Sequence, residues 1–284
     1  MTKALFFGLN TIDTQFFVAK YPHENQKAKA SEFGLYAGGP ATNAAITFAY
    51  LGGESKLASS FGNHFLTSLV LHDIQRFGVQ TIDITPDRTC HPIFASVVTS
   101  NGNRSVVSYH PTNHNYCFST LDSFSVNEFD IMLIDSFYID AAIALLKKST
   151  NNIPVVLDGG SWKPGLEKLL PYVTIAICSE DFYPPGTTST HEVIDYLASF
   201  GIQKIAITRG ENPLLVFEEN NPVELPVQKI KAIDSFGAGD IFHGAFCYYY
   251  AQNNNFIAAL SKASEIAAKS CLFFGPRKWM EVSS

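Results

Sequence analysis

The chain has 284 residues, 20 Lys and Arg against 26 Asp and Glu, a formal net charge of −6, and 46% hydrophobic residues. This balance excludes a disordered chain, which needs low hydrophobicity and high charge, and a dedicated nucleic-acid binder, which carries a basic patch. No apolar run approaches the roughly 18 residues of a membrane span, and Ala4 to Phe7 stops at Gly8 without a signal-peptide layout, so a soluble cytoplasmic protein with neither a nucleic-acid nor a membrane partner is expected.

Taken in order, Lys3 to Leu9 reads as a strand, Ala41 to Leu51 as a helix stopped by Gly52-Gly53, and Ser55 to Phe61 as the next strand. Leu66 to Phe77 is helical and ends at Gly78, followed by a strand at Val79 to Ile84. Further strands fall at Asp130 to Ile134, Pro154 to Leu157, Val173 to Cys178 and Lys204 to Thr208, with helices at Asp140 to Lys148 and His191 to Phe200. Such alternation predicts one α/β domain over residues 1–284, a doubly wound, mostly parallel sheet with helices on both faces. Two segments, about 14–36 and 92–110, break the rhythm with strand-like alternation, the second turning at Asn101-Gly102-Asn103. They read as a small β-sheet lid or, nearly as well, as antiparallel edge strands. Five scattered cysteines without a C-x-x-C pair fit free thiols in a reducing compartment.

The chemistry concentrates in Asp234-Ser235-Phe236-Gly237-Ala238-Gly239-Asp240, where a loop enters a helix. Gly237, Ala238 and Gly239 remove side-chain bulk, so backbone N–H groups and the positive helix end make an anion hole for a phosphate. A carboxylate beside phosphate is repelled; Asp240 makes sense there as a base taking a proton from an attacking hydroxyl. Taken alone, the Gly-x-Gly-Asp stretch is better explained by an ordinary loop–helix junction with Asp240 on the helix dipole; the longer pattern, followed by Gly244-Ala245, is much more specific. The second constellation is Gly38-Gly39-Pro40-Ala41-Thr42-Asn43. Its glycines allow close backbone approach, Pro40 starts a helix, and Asn43 is placed to read a polyhydroxyl ligand or to cap the turn. Asp13 follows the first strand, where open α/β sheets collect ligands.

These two motifs, in this order, resemble the signatures of the ribokinase-like PfkB carbohydrate kinases. The resemblance implies that Asp240 deprotonates a sugar hydroxyl, that the Gly237–Gly239 amides hold the transferring phosphoryl group, and that Asp13, Gly38, Gly39 and Asn43 grip the sugar. It places Thr208, Arg209 and Gly210 at the nucleotide phosphates, and likens Ala263 to Gly275, with Ser264, to the helix closing over the base. ATP with Mg2+ is implied as cofactor, Asp234 as part of a monovalent-cation (K+) site, and the lid as a homodimer contact. Where the family often carries Asn-x-x-Glu, the chain has Ser179-Glu180-Asp181-Phe182, which makes Glu180 the metal-side acid. That form, with Lys20-Tyr21-Pro22, Leu157-Asp158-Gly159 and Phe242-His243-Gly244, is similar to the ketohexokinase and sulfofructose-kinase branch. Pro40, in place of an asparagine touching sugar, argues against simple fructose. An anion clamp for a sulfonated ketose would find Lys27 but Ser108 and Phe137 at its other positions, so sulfofructose is disfavoured. The expected activity is phosphorylation of a ketohexose-like or related sugar. A nucleoside kinase and a non-catalytic sugar or nucleotide sensor are the competing readings. His110 and His114 read as loop residues and His243 as a packing or hydrogen-bonding residue.

Overall fold

Strands that alternate Ala4/Phe6 against Leu5/Phe7 with every one of these side chains buried need cover on both faces. The computed structural model describes residues 1–110, 118–121, 124–218 and 221–282 and shows that cover. The chain begins with β1 (Lys3–Phe7), β2 (Thr11–Phe17) and β3 (Glu32–Gly38), then α1 (Pro40–Tyr50), β4 (Glu54–Ser59), α2 (Thr67–Arg76) and β5 (Gln80–Asp83). A hairpin of β6 (Ile93–Ser100) and β7 (Asn103–Tyr109) precedes β8 (Ile131–Asp135), α3 (Ile139–Leu146), β9 (Val155–Gly159), β10 (Ile175–Ser179) and α4 (Thr190–Ala198). After β11 (Lys204–Arg209), β12 (Asn212–Glu218) and β13 (Asn221–Leu225), the chain ends in α5 (Ala238–Asn253), α6 (Phe256–Ser270) and the short α7 (Lys278–Glu281).

The large sheet has the order β13-β12-β11-β10-β9-β8-β1-β4-β5. From β11 to β5 every pairing is parallel, while β12 and β13 are antiparallel. One face packs Ala4, Phe6 and Leu57 against Phe48 of α1, Ile74 of α2, Phe246 of α5 and Leu260 of α6. The other packs Leu5, Phe7 and Met132 against Leu145 of α3 and Leu197 of α4. Pro40 opens α1 behind Gly39, whose φ of +97° needs a glycine. Ser189 and Glu192 form a capping box at α4.

The two interrupting segments join in one four-stranded sheet, β3-β2-β6-β7, with β2 parallel to β6. This separates them from the large sheet, so the edge-strand alternative is excluded. Asn101 and Gly102 both have positive φ, 51° and 79°, as the tight β6–β7 turn requires. The elements read from the sequence do not include the β12–β13 hairpin, each strand of which carries an Asn-Pro pair, Asn212-Pro213 and Asn221-Pro222. The structure tolerates both: Pro213 adjoins a register irregularity and Pro222 lies on the outermost strand. The helix expected over Ala263 to Gly275 is α6, which starts earlier, at Phe256, and ends at Ser270.

Candidate active site

The parallel strands deliver acidic residues to one edge of the sheet. Asp135 ends β8, Asp158 lies beside it near the end of β9, and Asp13 sits in β2 just past the end of β1. Ligands of open α/β sheets bind along this carboxyl edge. Over it hangs the start of α5. Gly237 caps the helix with φ +75°, and the first full helical bond runs from Ile241 N–H to the Gly237 carbonyl (2.9 Å). The N–H groups of Gly239 and Asp240 precede that bond and are left for a ligand. A Cβ at Gly239 would meet nothing within 4 Å, so space is open in front of them.

Asp240 is half-buried, and its Oδ2 accepts a hydrogen bond from Asn43 Nδ2 at 2.7 Å. Burial and the charge of Asp158 push its carboxyl up to about 7, against the lowering pull of Asn43 and His243. Asp13 is 3% exposed; burial raises it to about 6 although Thr11 Oγ1 donates to its Oδ1 at 2.5 Å. Its carboxylate lies against Gly38, where any Cβ would collide with Asp13 Oδ2, and a Cβ on Gly39 would collide with the Leu9 carbonyl. The first motif is therefore glycine-rich because β1, β2 and β3 converge there. Asn43 Oδ1 is buried without a partner, an acceptor left for a hydroxyl donor.

The approach to the anion hole is held by the small sheet. Gln15 Nε2 of β2 donates to Asp234 Oδ2 at 2.5 Å, and Ser235 Oγ donates to the Gly102 carbonyl at 2.9 Å. Gly102 N–H donates to the Ile233 carbonyl (3.2 Å), and Arg104 Nη1 to Ser235 Oγ (3.2 Å). Asp234 also accepts from Phe236 N–H (3.0 Å) and Gly275 N–H (2.9 Å). Both oxygens of this carboxylate are taken, by β2, by its own loop and by Gly275, and do not fit the expected cation ligand. Among the described residues no cluster of three His, Cys, Asp or Glu side chains is arranged to hold a metal.

The structure divides the residues expected at the nucleotide. Thr208 and Glu180 adjoin one another at the carboxyl ends of β11 and β10, Glu180 N–H donating to the Thr208 carbonyl at 2.9 Å. Glu180 is exposed there, as is Asp181 beside it. Gly210 makes the exposed turn after β11 with φ +58°. Arg209 donates through Nε to the Pro213 carbonyl (2.7 Å) and through Nη2 to Glu224 Oε1 (3.0 Å), which fastens the β12–β13 hairpin to the end of β11. Ser264 is buried on α6. Phe182 is 1% exposed and packs on Trp162, so a core aromatic occupies the position where the family often has an acid.

Three further residues are placed by the structure. Asp135 is 1% exposed and accepts from Leu9 N–H (2.7 Å), Phe137 N–H (2.9 Å) and Ala41 N–H (3.3 Å), so one carboxyl joins the end of β1 to the start of α1. Burial pushes it up to about 7 despite those donors. Arg277, 4% exposed, donates to the Ala37 carbonyl at 2.7 Å while Asp73 accepts from Ala37 N–H at 2.9 Å, clamping the strand that leads into Gly38. Asp158 lies buried beside His243. A lone acid after an apolar strand is the one sequence signal of Asp135 and Asp158. His110 carries no metal cluster, and His114 lies outside the described residues. Cys178, Cys247 and Cys271 are buried free thiols; Cys117 lies outside the described residues.

A helix N-terminus with open space before it, a carboxylate base at its rim and a second buried carboxylate beside a glycine-rich turn define a phosphotransferase acting on a hydroxyl. The pfkB family carbohydrate kinase model matches residues 1–281, and the chain belongs to that family. It is similar to a deoxyribokinase of Salmonella typhi (25% identical, 93% of this chain and 90% of the relative). It is also similar to a ribokinase of Bacillus subtilis (23%, 92% and 90%) and to a nucleoside kinase of Methanocaldococcus jannaschii (23%, 95% and 92%). Among solved structures, a ribokinase of Cryptococcus neoformans in complex with ADP superposes with a TM-score of 0.71 at 17% identity, covering 98% of this chain and 96% of that one. The chain is thus a PfkB-family sugar or nucleoside kinase of ribokinase-like fold.

Proposed function

We propose that the protein transfers the γ-phosphate of ATP to a hydroxyl of a small neutral sugar, with Asp240 as general base. The observation that carries this is the Asn43–Asp240 hydrogen bond, which holds a carboxylate with a raised affinity for protons at the rim of a helix N-terminus. In this reading the hydroxyl oxygen bonds to the γ-phosphorus as the bond to the ADP oxygen breaks, and the hydroxyl proton passes to Asp240. The N–H groups of Gly239 and Asp240 hold the phosphoryl oxygens as charge shifts between them. Magnesium bound with ATP would supply charge neutralisation, and exposed Glu180, at the carboxyl end of β10, is the acid that would help hold it.

Asp13, Asn43 and the Gly38-Gly39 backbone line the sugar side. Arg277, the buried cation that acts on Asp13, is engaged by Ala37 and Asp73, so the sugar side favours a neutral polyol over an anionic sugar. ATP consumption measured with ribose, deoxyribose, fructose and adenosine tests the assignment. Turnover with one of the sugars supports it; adenosine alone as acceptor establishes the nucleoside reading that the Methanocaldococcus relative favours; binding without turnover across the panel overturns the kinase reading.

The small sheet serves as a lid in this proposal. Its outer strands expose Phe33 and Leu35 on one edge and Val107 and Tyr109 on the other, and the register sets all four on one face, apolar surface that supports a homodimer through the lid. Light scattering should report a dimer that Val107→Lys with Phe33→Lys converts to a monomer. Because Asp240 works deprotonated and kcat/KM reports the free enzyme, kcat/KM should rise with pH and reach half its plateau near pH 7. A half-point near that of an ordinary carboxylate contradicts the base assignment.

A further inference from the structure

Behind the anion-hole turn lies a buried pair that the transfer scheme does not use. His243, one turn after Gly239 on α5, is 5% exposed. Its Nδ1 lies 2.8 Å from the Gly239 carbonyl oxygen and its Nε2 lies 3.1 Å from the Ile177 carbonyl oxygen on β10. Carbonyl oxygens only accept, and a neutral imidazole has one N–H, so a neutral ring would set a lone pair against one of these oxygens. A ring protonated on both nitrogens satisfies both contacts. Its counter-charge is in place: Asp158 Oδ2, at the end of β9, is 3.5 Å from Nδ1 and buried without a hydrogen-bond partner. A buried carboxylate oxygen without a donor is costly unless a cation faces it.

We propose that His243 is a doubly protonated imidazolium paired with Asp158, and that it is a positioning residue which pins the first turn of α5 to β10 and balances charge beside Asp240. The inference rests on the reading of Asp240 as the base. Other ionisable groups around the pair are Asp240 on the same helix and Asp135 on β8, with the Cys178 and Cys247 thiols, which burial keeps neutral. On α6, packed against α5, Lys262, Glu265 and Lys269 are exposed. On α1, which also packs on α5, the ionisable side chain is Tyr50, at the end away from Asn43. No second buried cation competes with His243 for Asp158 among these residues. Electrostatically the two partners act on Asp240 with opposite sign: Asp158 favours its protonated form and the His243 cation its carboxylate.

Nitrogen-15 spectra of the full-length protein, labelled on histidine, read the proton count directly. At pH 7.5 both His243 ring nitrogens should carry protons, and in Asp158→Asn one should lose its proton. His243→Phe keeps a ring of similar size and should lower kcat about tenfold while changing the sugar KM by less than about twofold, the signature of a lost transition-state interaction. In the same variant the acid limb of kcat/KM should move to higher pH, because the cation that favours the Asp240 carboxylate is gone. A singly protonated ring in the unmodified protein overturns the proposal, as does a His243→Phe acid limb that stays in place. Should His243→Phe fail to fold, the two spectra decide the question. An active Asp240→Asn enzyme would defeat the base assignment, whereas a singly protonated ring alongside an inactive Asp240→Asn defeats the pair alone.

Discussion

Asp240→Asn should lose sugar phosphorylation by about 10³-fold or more in kcat while folding at least as stably as the unmodified chain. General-base removal costs roughly 10²–10⁴ in rate, and asparagine cannot take the hydroxyl proton at all. Stability moves the other way because the carboxyl is raised to about 7, so its charged form is disfavoured by the fold. A raised carboxyl adds stability in full only below the pKa of the unfolded chain, near 4, and loses it as pH climbs through 7. The variant has no such loss. Its advantage over the unmodified protein in urea unfolding should therefore widen from pH 5 to pH 8. An Asp240→Asn protein with near-normal turnover would refute the mechanism, and a stability gap that narrows with pH would refute the electrostatic account.

The second large effect is expected at Gly244→Ala, a residue with no direct part in the chemistry. Gly244 of α5 packs so closely on α1 that a Cβ would collide with the backbone carbonyl of Ala44 and lie 2.8 Å from Thr47 Cβ. Neither obstacle is the end of a flexible side chain, so the helices must separate. Overpacking of this kind costs about 1–3 kcal/mol, which lowers the Tm by several degrees in a chain of this size. Asn43 and Asp240 sit on the same two helices, joined by their 2.7 Å hydrogen bond. Widening α1–α5 should stretch that bond and depress kcat about tenfold even at temperatures where the variant is fully folded. Unchanged kcat in a destabilised Gly244→Ala protein would show that the spacing of the two helices does not govern the base.

What was legible in the chain follows how local the signal is. Gly237 to Asp240 and Gly38 to Asn43 each carry their meaning within a few residues, because a loop that enters a helix around a phosphate constrains neighbouring positions together. The parallel strands were legible for a similar reason: strands buried on both faces read as short apolar runs. Asp135 and Asp158 were not, since one acid after an apolar strand looks the same whether it faces water, caps a turn or pairs with a buried histidine. The Arg277–Asp73 clamp on Ala37 joins three distant segments and leaves no pattern in any of them. Arg209, the last residue of β11, has a partner that no local pattern shows: the glutamate it binds lies on β13, a strand that opens with Asn221-Pro222.

The bonds from Gln15, Gly102 and Arg104 to residues 233–235 carry a thermodynamic consequence. They tie two occupancy events into one linked equilibrium. On the proposed function, a sugar that ordered the small sheet would also restrict the segment leading into Gly237, so part of the entropy of arranging that segment would be lost before nucleotide arrives. Reciprocity would then require nucleotide to tighten sugar binding by the same factor. The expected consequence is that the chain without sugar turns ATP over to water more slowly than to sugar.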